Sequence, residues 1–134
     1  AAVLDVKLKY LVEDNAHRKM VANMYYDGIK NPLITLPDRL PDENNAYHLF
    51  PILVAEGKRD ALHDFLEQNG VGTVIHYPIA PHKQECYANE ELNNPQLVLP
   101  ITEQIANEEL SLPIGPAIEV EDVARVIELL NHFM

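Results

Sequence analysis

Proline placement limits what this chain can fold into more than any other feature of its sequence. Ten prolines lie in 134 residues, and none of them precedes Pro32. Proline lacks a backbone N–H and clashes inside a helix, so helices of any length are confined to stretches free of it. Such stretches stand at the start of the chain, after Pro116, and in one gap between Pro51 and Pro78. The rest is left to short helical or extended pieces and loops.

Periodicity fills in that frame. Leu4, Leu8 and Leu11 fall at i, i+4, i+7, one face of a helix that is already under way where the chain begins, so truncation is the expectation. A second helix is expected from about Asp14 to Asp27, with Asp14 as cap, Met20, Val21, Met24 and Tyr25 as apolar face, and Gly28 as stop. Asn31 to Asn45 reads as loop, with an extended piece available at Leu33 to Leu36. Ala46 to Ala55 reads as a strand in which Pro51 implies an edge or a bulge. Arg59 to Asn69 is a helix with Ala61, Leu62, Phe65 and Leu66 inward and Gly70 ending it. Val71 to Tyr77 is the second expected strand, and Ile79 to Leu99 is loop with a helical turn near Glu85. Thr102 to Glu109 gives a short helix, Leu110 to Leu112 a third strand, and Val120, Val123, Ala124, Ile127 and Leu130 a closing helix with acids in its first turn. The result is an α+β domain with a small antiparallel three-stranded sheet and helices on one face.

Composition excludes several roles. At 47% apolar and 23% charged, the chain has a soluble globular profile. A formal net charge of −11 repels phosphate backbones and argues against nucleic acid as partner, though a local basic pocket can still take an anionic small molecule. No apolar run is long enough for a membrane helix, and Asp5, Lys7 and Lys9 interrupt what would be a leader. The lone Cys86 cannot form an internal disulfide, which makes the cytoplasm the expected home.

The densest polar stretch is His76-Tyr77-Pro78-Ile79-Ala80-Pro81-His82-Lys83-Gln84, directly after an expected strand and stiffened by two prolines. Two imidazoles, a phenol and an amide on a restrained loop suit a polar ligand, and equally suit a surface loop with solvated histidines. No paired ligand spacing supports a metal site. Cys86 near His82 lacks a third orienting group for a nucleophile, and is expected to be partly buried and unreactive. Ser111 has no G-x-S-x-G context, and Gly70-Val71-Gly72 reads as a helix cap. Glu90-Glu91 and Glu108-Glu109 read as solvated faces.

The order of segments carries more. Ala1-Ala2-Val3-Leu4 through Leu8-Lys9-Tyr10-Leu11, then His48-Leu49-Phe50-Pro51-Ile52, Arg59-Asp60, Gly72 to Pro78, Pro81 to Gln84, Leu99-Pro100 and Ser111-Leu112-Pro113 together resemble the DegT/StrS-type sugar-nucleotide aminotransferases. That resemblance implies an aspartate-aminotransferase-like fold. Residues 1–30 would be helices leading in from a large cofactor domain, and 31–134 the small C-terminal domain. It also implies amino transfer from glutamate to a keto sugar linked to a nucleotide, on pyridoxal phosphate held by a lysine and a ring-nitrogen carboxylate. None of Lys7, Lys9, Lys19, Lys30, Lys58 or Lys83 has the context of that lysine. The resemblance therefore puts the catalytic and cofactor-binding residues upstream, and no bound cofactor or activity is expected of this segment alone. It assigns His76, Tyr77, His82 and Gln84 to the substrate site. The pattern H-Y-P-x-x-P-H-x-Q-x-x-Y, ending at Tyr87, is most similar to enzymes acting on dTDP-linked 3-keto-6-deoxyhexoses in deoxyamino-sugar and surface-polysaccharide biosynthesis. Where such relatives have Pro, this loop has Ala80. A homodimer is the implied assembly. The alternative function is a stand-alone nucleotide-sugar-binding, regulatory or dimerisation module.

Overall fold

A computed structural model describes residues 1–41, 45–87 and 97–134. Two helices open the chain, α1 at Ala2–Leu8 and α2 at Leu11–Gly28. Strands β1 (Ile34–Thr35) and β2 (Phe50–Val54) follow, then α3 (Arg59–Gln68). Two single 3₁₀ turns, Pro81–Lys83 and Glu85–Tyr87, precede α4 (Pro100–Glu108), which runs straight into β3 (Glu109–Leu112). Helix α5 (Val120–His132) closes the chain. The strands form one antiparallel sheet in the order β1-β2-β3.

Several boundaries differ from the sequence reading, and the strand expected from Ala46 to Ala55 is confined to Phe50–Val54. Leu11 begins α2 instead of ending the first helix, and Asp14 sits in the first turn of α2, with Tyr10 at the cap position. The expected strand at Val71–Tyr77 shrinks to one bridge, Val74 to Ser111, and the third strand is supplied by Ile34–Thr35. Gly72 and the half-exposed Val74 give that segment no continuous face to bury. Pro51 lies in the central strand, yet its position is locally an edge. Ser111 directs its backbone N–H and C=O to Val74, so the Pro51–Ser111 pair shares no ladder hydrogen bonds. On Pro51's other side, β1 pairs only with Leu53 and Val54.

The core lies on one face of the sheet. Phe50, Ile52, Val54, Leu110 and Leu112 point into it, and Val21, Ala22 and Tyr25 of α2, Leu62 and Leu66 of α3, and Val123, Val126 and Leu130 of α5 cover them. The expected lead-in segment 1–30 therefore shares its second half with the core of 31–134. The two ends are also stitched by hydrogen bonds. Buried Asn31 donates Nδ2 to Leu130 O at 2.7 Å and Phe133 O at 2.8 Å, while Asn131 Nδ2 donates to Gly28 O at 2.9 Å. Each asparagine thus satisfies carbonyls that a helix end leaves without a partner. Gly70, at φ 77°, supplies the left-handed turn that stops α3, with Val71 N–H returning to Leu66 O. By contrast α1 buries nothing, and Val3, Leu4, Val6, Leu8 and Val12 stand exposed. None of the described helices is long and apolar enough to cross a membrane.

Candidate functional site: a cleft between the His76–Gln84 loop and helix α4

Beyond the bridge at Val74 the chain leaves the sheet and wraps past the start of α4. A cleft of about 260 Å³ opens there, lined by His76, Tyr77, Ile79, Ala80, Pro81 and Gln84 from the loop and by Thr102, Ile105 and Ala106 from α4. A shallower groove continues past Tyr77 and Gln84 to Cys86. Pro100 at the first turn of α4 presets its start, which aims one helical face at the loop. The wall is mostly apolar, with the Tyr77 hydroxyl, the Gln84 amide, the Thr102 hydroxyl and the His76 imidazole as its polar points. A few convergent polar groups on an apolar wall is the usual make-up of a small-molecule site.

Of the four residues assigned from sequence, the structure brings His76, Tyr77 and Gln84 together on this cleft. The His76 and Tyr77 rings stand edge to face, centroids 5.6 Å apart. His82 turns the other way. It is 6% exposed, and its Nε2–H donates to Glu103 Oε1 at 3.1 Å. Lys83 Nζ lies 2.7 Å from the other Glu103 oxygen. Glu103 is held well below the usual carboxylate range, at about 2, first by Lys83, then by the Leu99 N–H and by His82. This cluster ties the loop to α4 and so fixes the width of the cleft.

Three residues that the sequence reading passed over shape the site. Glu109, expected to be solvated, is 3% exposed. Its Oε1 accepts a hydrogen bond from Ser111 Oγ at 2.6 Å and its Oε2 accepts from the His76 backbone N–H at 2.5 Å. Ser111 Oγ in turn lies 3.0 Å from His76 Nδ1. The serine stands between carboxylate and imidazole, whereas a serine nucleophile needs the imidazole between serine and acid. Arg59, largely buried, donates to Ala106 O at 3.2 Å and contacts Glu109 O at 3.5 Å, pinning the junction of α4 and β3. Adjacent acids point apart on an element, and that is the one signal by which Glu109 and Glu108 could have been separated. Cys86 is exposed, not partly buried. Glu90-Glu91 lies outside the described residues. Among the described residues no three His, Cys, Asp or Glu side chains converge as a cation site.

The fold matches part of the aminotransferase structures. The profile of the DegT/DnrJ/EryC1/StrS aminotransferase family matches residues 1–131, and the chain belongs to that family. It is 43% identical over 133 residues to a dTDP-3-amino-3,6-dideoxy-alpha-D-galactopyranose transaminase of Aneurinibacillus thermoaerophilus, covering 99% of this chain and 35% of that protein. It is 44% identical over 132 residues to the erythromycin biosynthesis sensory transduction protein EryC1 of Saccharopolyspora erythraea, covering 98% of this chain and 35% of that protein. The crystal structure of S. venezuelae DesV in complex with a ketimine intermediate superposes with a TM-score of 0.87 at 37% identity, over 97% of this chain and 34% of that one. The chain thus spans about a third of the length of the relatives it matches.

Proposed function

We propose that this chain is the substrate-facing C-terminal part of a pyridoxal-phosphate-dependent aminotransferase that aminates a keto sugar linked to a nucleotide. A dTDP-linked 3-keto-6-deoxyhexose is the substrate class, and an amino acid, glutamate, is the donor. The observation that carries this reading is the convergence of His76, Tyr77 and Gln84 on one mostly apolar cleft in a chain of this family. Tyr77 and Gln84 offer donors and acceptors for sugar hydroxyls, while Ile79, Ile105 and Ala106 pack against apolar faces and exclude water. His82 serves the site through position, by holding the loop against Glu103.

The lining does not fit the cofactor itself. It includes no amine for a Schiff base and no carboxylate for a pyridine nitrogen, and Lys83, the lysine on the same loop, is engaged with Glu103. No chemical step is therefore assigned to this chain's residues. In this reading the Schiff-base lysine belongs to the rest of the enzyme, and the segment alone is inactive. The exposed apolar residues of α1 are covered in the intact homodimeric, cytoplasmic enzyme. A second reading, a non-catalytic nucleotide-sugar sensor, draws support from the sensory-transduction name of the EryC1 relative.

The test is steady-state kinetics on the full-length protein. Tyr77→Phe and Gln84→Ala are each expected to raise KM for the sugar nucleotide about tenfold, the loss of roughly 1.4 kcal/mol of binding, with KM for glutamate unchanged. Unchanged KM in both variants would remove the cleft from the substrate site.

A further inference from the structure

The face of β3 turned away from the core carries a polar chain that substrate contact leaves unexplained. Glu109 and Ser111 alternate with Leu110 and Leu112, so the pleat places the two together on the side opposite the core. A serine hydroxyl owns one proton, and an ionised carboxylate only accepts. The Ser111–Glu109 distance of 2.6 Å falls in the range of a charge-assisted O–H···O⁻ bond, which commits that proton to Glu109. Ser111 Oγ can then meet His76 only as acceptor, so His76 Nδ1 must carry a hydrogen. In a neutral ring this leaves Nε2 as a bare lone pair. Among the described residues nothing bonds Nε2, and His76 is one of the residues that line the cleft. The second oxygen of Glu109 reinforces the arrangement by fixing the His76 backbone N–H, while Val74 pairs with Ser111 two residues earlier.

We infer that Glu109 and Ser111 are positioning residues that hold His76 in its Nδ1–H tautomer, so that Nε2 presents a hydrogen-bond acceptor to the cleft. The group that fits such an acceptor is a ligand hydroxyl, as on a hexose ring. A carbonyl or phosphoryl oxygen cannot donate and meets repulsion there from a neutral imidazole. The identity of the ligand rests on the aminotransferase reading; the tautomer does not.

The deciding experiment is ¹⁵N NMR of the full-length protein with labelled histidine, without substrate, above about pH 8, where an ordinary imidazole is neutral. His76→Gln identifies the signal. Wild type should show the proton on Nδ1. Ser111→Ala should lower the Nδ1–H share several-fold, and Ser111→Thr, which keeps a hydroxyl, should restore it. In kinetics Ser111→Ala should raise KM for the sugar nucleotide more than it lowers kcat. A wild-type ring protonated on Nε2 overturns the inference, and so does a tautomer unaffected by Ser111→Ala. The wild-type spectrum alone can refute it, so a poorly folding Ser111→Ala leaves the test intact. The expected tautomer response in a protein without transaminase activity would uphold this inference while refuting the proposed function.

Discussion

Replacing Tyr25 by Phe asks whether α2 is bonded into the small domain or merely rests on it. The Tyr25 ring is fully buried, 5.0 Å from the Phe50 ring centroid, and its hydroxyl donates to Pro113 O at 2.7 Å. Phe keeps the ring and deletes the donor, leaving a part-buried carbonyl without its partner. That loss costs about 1–3 kcal/mol, and each kcal/mol lowers the melting temperature by roughly 3–5 °C in a domain of this size. The alkaline limb gives a second, independent signature. Burial pushes the Tyr25 hydroxyl's pKa up. A group whose folded pKa is raised contributes stability that is complete below its unfolded value, about 10 for a phenol, and is lost as pH rises beyond it. The slope is about 1.4 kcal/mol per pH unit, because the unfolded chain releases a proton that the folded chain keeps. Tyr26 is shifted the same way but is present in both proteins, so the difference between them isolates Tyr25. Urea denaturation from pH 7 to 11 should show the wild type more stable at neutral pH and losing that margin above pH ~10. Equal stability at pH 7, or parallel alkaline slopes, would mean that the Tyr25 hydroxyl does not bond α2 into the domain.

Other consequences follow from the same contacts. Asn31→Ala strands the Leu130 and Phe133 carbonyls and should cost about 1–3 kcal/mol in the same denaturation assay, with the α2 and α5 ends losing hydrogen-exchange protection first. Glu103, depressed to about 2, contributes stability above the ordinary carboxylate range that is lost as pH falls through about 2. Glu103→Gln should flatten melting temperature against pH in that acid window, and an unchanged profile would count against the His82–Glu103–Lys83 cluster. The bare apolar face of α1 should drive concentration-dependent association of the isolated chain, and Leu4→Lys with Leu8→Lys should reduce it on sizing chromatography.

Helices α3 and α5 were legible from their apolar spacing, Leu62 and Leu66 with Gly70 for α3 and Val123 and Leu130 for α5, although Ala61, Val120 and Ala124, expected on the same faces, are exposed and Val126 is buried instead. The sheet was legible in size and sense but not in membership. Ile34–Thr35 is too short to show alternation, and its place is set by pairing with Leu53 and Val54, a long-range contact. The loop from His76 to Gln84 stood out through its prolines and polar groups, yet the wall opposite, Thr102, Ile105 and Ala106, is ordinary helix surface until the fold turns it toward the loop. His82 and Gln84 are two residues apart and indistinguishable in pattern; only the Glu103 carboxylate, on a different element, draws His82 inward. Glu109 was hidden by its neighbour Glu108: adjacent acids point apart, but which of the two is buried is decided by the packing around the junction of α4 and β3.

The most direct test of the central claim is amino transfer by the full-length protein given pyridoxal phosphate, glutamate and a dTDP-linked 3-keto-6-deoxyhexose, read by mass spectrometry of the nucleotide sugar and by 2-oxoglutarate release. An amino-sugar nucleotide and 2-oxoglutarate are expected in equal amounts, with turnover at low substrate falling in Tyr77→Phe and Gln84→Ala. A full-length protein that binds the sugar nucleotide at this cleft and transfers no amino group would contradict that claim and leave a sensor in its place.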